Sequence, residues 1–176
     1  MGAPLVEPVQ YRSFCGLLGV KTATDFIASF LIALGVCIIY HNYGSSDPFR
    51  IYCSLFSAAG IASACLSFYG VDAGKPWPLV PLLIYLIMVS IGSFAVFTTA
   101  TYGYKYTQIV CDYAKGDECS FEEVEEMHDH LHRVMRISFT SFLLFLYFAL
   151  VVKKCYKQLQ EDFTAMLPLY IRFDNK

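Results

Sequence analysis

Long apolar runs alternate with short polar breaks along this chain. Positions 51–71 and 79–100 contain no charged residue, and neither does the run from Ile137 to Val152, ISFTSFLLFLYFALVV. A fourth apolar stretch, 22–43, holds one acid, Asp25, near its start. A helix needs about 20 mostly apolar residues to cross the hydrocarbon of a bilayer. The pattern predicts an all-α integral membrane bundle of four transmembrane helices, at about 22–43, 51–71, 79–100 and 137–153, in one domain spanning 1–176.

The breaks agree with that division. Gly44-Ser45-Ser46-Asp47-Pro48 and the Gly74-Lys75-Pro76-Trp77 connection are turn clusters. In the second run, Gly60 and Ala64 form a small-xxx-small step, which lets helix backbones approach closely in lipid. Pro81 falls in the first turn of the third run, where a missing N–H does no harm. Trp77, Tyr102, Tyr104 and Tyr106 suit membrane interfaces. In the polar loop 101–136, Ser120 and Glu123 fit a capping box. Val124, Met127, Leu131 and Val134 then recur at helical spacing, which predicts a helix running straight into Ile137 and ending at Pro168.

Composition sharpens the class. The chain has 176 residues, 56% of them hydrophobic, and a mean hydropathy of +0.49. That is more apolar surface than a soluble domain of this size can hide. A net charge of −2 with no large basic patch points away from nucleic acid. The polar segment 1–21 lacks the layout of a cleavable signal peptide, and Val6 breaks a myristoylation pattern. The first apolar run is therefore expected to act as a retained targeting signal. Lys153, Lys154 and Lys157 behind the fourth run predict a cytosolic C-terminus by the positive-inside rule. Four spans then place the N-terminal segment 1–21 and the tail 154–176 in the cytosol, and the loop 101–136 on the other side.

The candidate chemistry is sparse. Cys111 and Cys119 bracket a turn in that outer loop, and a bridge between them is expected in an oxidising compartment. Cys15 and Cys155, beside the membrane, are positioned for palmitoylation. His128 and His132 share a helix face with Glu125 one turn earlier, the spacing of a zinc pair, but no third strong ligand is evident. They read either as a solvated polar face or as a pH sensor, since histidine changes charge between about pH 5 and pH 8. Asp25 is either an interfacial carboxylate or a functional intramembrane acid of the kind that marks ion paths. Metalloprotease, phosphate-loop and nucleophile-elbow motifs are missing. No enzymatic activity, metal or cofactor is expected.

The tail holds two short motifs. Leu167-Pro168-Leu169-Tyr170 fits the L-P-x-Y form of WW-domain ligands, which dock as a polyproline helix. Tyr170-Ile171-Arg172-Phe173 fits the tyrosine-x-x-bulky form read by clathrin adaptors, which bind extended peptides. Tyr156-Lys157-Gln158-Leu159 has the same form, only about one turn beyond the membrane.

Phe14-Cys15-Gly16-Leu17-Leu18-Gly19-Val20-Lys21-Thr22-Ala23-Thr24 resembles the segment leading into the first span of the lysosome-associated protein transmembrane family. In that family a cysteine-glycine stretch precedes a Val-Arg/Lys-Thr-x-Thr step, matched here by Val20, Lys21, Thr22 and Thr24. The four spans, the cysteine-bearing third loop and the Pro-x-Tyr tail are also similar. This chain carries one L-P-x-Y where some members carry P-P-x-Y pairs. The resemblance implies a late endosomal or lysosomal membrane protein that sorts cargo and recruits WW-domain ubiquitin ligases through its tail. Small-solute transport is the alternative it implies.

Overall fold

The structure is a computed structural model that describes residues 12–13, 18–44, 47–115 and 119–173, with side chains for 19–44, 47–114 and 119–164. A two-residue antiparallel ladder, β1 (Arg12–Ser13) with β2 (Leu18–Gly19), sets Arg12 opposite Gly19. The helices α1 (Val20–Asn42), α2 (Pro48–Asp72), α3 (Leu79–Lys105), α4 (Thr107–Lys115) and α5 (Phe121–Phe173) follow. α1, α2, α3 and the Phe121–Thr164 part of α5 are long and apolar enough to cross a membrane. The fold is the expected all-α one, and the protein is a multi-pass integral membrane protein.

Local chemistry explains the helix ends. Asp47 caps α2, its Oδ1 accepting from the Phe49 N–H at 3.0 Å, with Pro48 in the first turn. α2 ends in a Schellman motif. The Lys75 N–H donates to Gly70 O (2.9 Å) and the Gly74 N–H to Val71 O (3.3 Å), with Gly74 at φ +64°. Along the spans, hydroxyls return to the carbonyl four residues back: Thr24 to Val20, Ser57 to Cys53 and Ser90 to Leu86. In lipid such internal pairing is what a polar group requires.

The chain divides into two compact units, residues 1–85 with 148–176, and residues 86–147. In the first, the buried positions of α2 are Ser57, Gly60, Ala64, Ser67 and Gly70, all small. The Gly60–Ala64 step of the sequence is thus the middle of a longer stripe. A Cβ on Gly35 of α1 would sit 2.8 Å from Ile61 Cγ1, and one on Gly60 would sit 2.5 Å from Tyr85 Cζ. Tyr85 is fixed by stacking on Phe56, with centroids 5.0 Å apart. The 148–164 part of α5 packs on α1, with Phe148 edge-on to Phe30 at 5.9 Å. In the second unit α3 and α5 run antiparallel, pairing Phe94 with Phe142 (5.3 Å) and Phe97 with Phe139 (5.2 Å).

Two expectations change. Ahead of the predicted Ser120 cap, the described residues of the loop are also helical, because α3 runs on to Lys105 and α4 follows after a break at Tyr106. The expected stop at Pro168 does not occur, since α5 continues to Phe173. A proline inside a helix removes one backbone bond and crowds the carbonyl four residues earlier, costing about 3 kcal/mol. Its neighbours Met166, Leu167 and Leu169 are good helix formers and favour the surrounding turns.

Candidate functional site

The densest side-chain chemistry lies at the α4–α5 hairpin. Cys111, buried on α4, is bridged to Cys119, with Cα atoms 6.1 Å apart. Asp112 Oδ1 accepts from the Cys119 N–H at 2.9 Å. Glu123 Oε2 accepts from the Ser120 N–H at 3.0 Å, and Ser120 O accepts from the Val124 N–H at 3.1 Å, so the predicted cap opens α5. Bridge and cap together fix where α5 begins.

From there α5 runs back along α3. A Cβ on Gly103 would meet Leu131 at ordinary contact distance, 3.4 Å. At the same level the Tyr104 ring lies 4.1 Å from the His128 ring and 5.8 Å from that of His132, centroid to centroid. Arg136 Nη2 is 2.9 Å from His132 Nδ1. A guanidinium can only donate, so Nδ1 accepts and the ring proton of neutral His132 sits on Nε2. The predicted pair thus shares one tyrosine face, with an arginine one turn beyond. His130 and Glu125 point outward and are exposed. Among the described residues no three His, Cys, Asp or Glu side chains gather to hold a metal. In the sequence Tyr104 belongs to an interfacial belt, and Arg136 stands directly before the apolar run that starts at Ile137. The antiparallel α3–α5 register joins them to the histidines, and only a pairing signal between the two helices would have revealed it.

Asp25 lies in the second turn of α1, partly buried. Its carbonyl accepts from Ser29 Oγ at 2.9 Å, and its carboxylate has no hydrogen bond or counter-ion among the described residues. Asp72, at the end of α2, is close enough for the two charges to interact. Nearby, Lys21 Nζ pairs with Asp162 Oδ2 at 3.7 Å. The buried Thr24 hydroxyl donates to Val20 O at 3.0 Å. Gln158 Oε1 is buried without a donor among the described residues. Cys155 is 0% exposed, so it is closed to lipid attachment, contrary to the sequence expectation. Cys15 lies outside the described residues.

In the tail, Leu159 is 0% exposed, which shuts the Tyr156-Lys157-Gln158-Leu159 motif. The backbone of Leu167, Pro168, Tyr170 and Phe173 is helical, and their side chains lie outside the described ones. The free, extended tail that both motifs require is not the observed backbone. No protein-family model, curated protein or solved structure matches the chain.

Proposed function

We propose that this is a sorting or adaptor protein of late endosomal or lysosomal membranes, with both termini in the cytosol and its tail recruiting cytosolic partners. The observation that carries this reading is the Cys111–Cys119 bridge. Disulfides persist in oxidising compartments and are rare in the cytosol. The fourth span lies between Cys119 and the tail. A hairpin on the lumenal side supports a cytosolic position for Leu167–Phe173, the side on which WW domains and clathrin adaptors reside. The lysine flank behind the fourth span supports the same orientation. The resemblance to the lysosome-associated protein transmembrane family supports the compartment, and the position of Asp25 near the start of its span, without a counter-ion among the described residues, fits an adaptor.

Both partners need an extended peptide, so the last turns of α5 unwind on binding. Pro168 weakens the helix there by about 3 kcal/mol relative to alanine, which makes unwinding easy. The test is a tail series. Pro168→Ala costs WW-domain binding most, through a lost groove contact, while Phe173→Ala costs adaptor binding alone. Tyr170→Ala loses both and moves the protein toward the cell surface. Unchanged localisation and binding in Tyr170→Ala would overturn the reading.

A second reading, small-solute transport, draws on the Asp25–Asp72 juxtaposition, because intramembrane acids mark ion paths. It requires Asp25→Asn to abolish a solute flux that Tyr170→Ala leaves intact.

A further inference from the structure

We infer that the His132–Arg136 pair, held against Tyr104, is a proton-operated latch on the α4–α5 hairpin. The inference stands on side-chain geometry and does not depend on the tail. As built, His132 Nδ1 is a lone-pair acceptor for a guanidinium 2.9 Å away. A proton on Nδ1 turns that acceptor into a donor. The bond is then lost, and two cations face each other across one helical turn, where like charges repel. One of them must leave. His132 is also seated over Tyr104 on α3, so its displacement disturbs the α3–α5 contact at the level of Gly103 and Leu131.

The surrounding charges decide which way the latch moves. On α5, Asp129 lies one turn before His132, and its carbonyl is engaged by Arg133 Nε at 3.4 Å. His128 lies on the same face and against the same Tyr104 ring. α3 contributes Tyr104, and Lys105 is drawn over the neighbouring Tyr106 ring instead. α4 contributes Asp112, which is committed to the Cys119 N–H. No carboxylate is hydrogen-bonded to the His132 ring among the described residues. A protonated His132 therefore meets Arg136 across the 2.9 Å contact, and the latch opens. The bridge at Cys111 does not titrate, so it holds the tip while the middle loosens.

The test is hydrogen–deuterium exchange of the full chain in lipid nanodiscs from about pH 8 to about pH 5, the interval of histidine titration. Rates are corrected for intrinsic pH dependence and referenced to amides of the fourth span. Wild type is expected to show faster exchange at 128–136 at the acidic end, by roughly three- to thirtyfold, for one lost hydrogen bond and one like-charge pair. His132→Gln keeps a carbonyl acceptor for Arg136 but cannot titrate, and its profile is expected to be flat. Arg136→Gln is expected to be flat as well, whereas His130→Gln, at an exposed position, keeps the step. A flat wild-type profile overturns the latch. So does a step that survives in His132→Gln or Arg136→Gln, or one that disappears in His130→Gln.

Discussion

The packing of the first unit makes a sharp prediction, because one substitution should act oppositely at two glycines. A Cβ on Gly60 would stand 2.5 Å from Tyr85 Cζ and 2.6 Å from its hydroxyl oxygen. Ordinary contact begins near 3.4 Å, so the ring would have to retreat by nearly 1 Å. It has little freedom to do so while stacked on Phe56. Overpacking of this kind costs about 1–3 kcal/mol. The better helix propensity of alanine returns up to about 1 kcal/mol in a host helix. Gly60→Ala is therefore expected to destabilise by about 1–2 kcal/mol. Gly92, on α3, has nothing within 4 Å of its ideal Cβ, and Gly92→Ala should be neutral or stabilising by up to about 1 kcal/mol. Equilibrium unfolding in mixed detergent micelles measures both. A Tyr85→Ala background should remove most of the Gly60→Ala penalty, since the clash partner is gone. Equal effects at Gly60 and Gly92, or a full penalty in the Tyr85→Ala background, would refute the packing argument.

Other substitutions have smaller or more local effects. Replacing Cys111 and Cys119 together by serine frees a short loop in the unfolded chain, with a loss of about 2.5 kcal/mol from the chain-entropy relation; thermal unfolding should register it, and no change would mean the bridge does not close in the folded protein. Gly74→Ala forces a left-handed residue with a Cβ at the end of α2 and should lose about 1–2 kcal/mol in the same measurement, against no loss for its neighbour Ala73→Ser. Lys21→Ala should change stability by less than about 0.5 kcal/mol, because both partners of its 3.7 Å pair are more than 40% exposed and screened by solvent.

The spans were legible because membrane insertion is a property of composition over twenty residues. The uncharged runs at 51–71 and 79–100 sit inside α2 and α3, and the fourth run sits inside α5. Gly60 and Ala64 could be read as packing residues, since lipid leaves little else to drive close approach. Tyr85 as their neighbour could not, because the α2–α3 pairing depends on how the helices turn about their axes. The Cys111–Cys119 bridge was readable from spacing and setting. α4 was not, since nine residues between a tyrosine belt and a glycine turn look like loop. Its amphipathic face becomes visible only when Thr107 and Cys111 are buried. The same holds for His132. Sequence places it one turn from Arg136, but the tyrosine between the two histidines comes from the other strand of the α3–α5 hairpin, about 30 residues earlier in the chain.

On the proposed reading, Tyr170 sits where two demands collide. It closes Leu167-Pro168-Leu169-Tyr170 and opens Tyr170-Ile171-Arg172-Phe173, so one side chain cannot fill a WW groove and an adaptor pocket together. Both bound forms are extended, whereas the backbone is helical through Phe173. Each partner must therefore unwind the same turns before it gains contacts, and the competent fraction scales both apparent affinities equally. Pro168 then has two separable roles. It is a contact residue for the WW groove, and it weakens the helix for either partner. Pro168→Ala should consequently abolish WW binding and also weaken adaptor binding, by up to about 150-fold, because alanine stabilises the helix around Tyr170 by about 3 kcal/mol. Phe173→Ala removes only an adaptor contact and should leave WW binding unchanged. Titrating a full-length protein with each isolated domain, singly and in mixture, measures all of this. Competition in the mixture and an adaptor penalty in Pro168→Ala support a shared unwinding step. Simultaneous binding of both domains to one tail would rule it out.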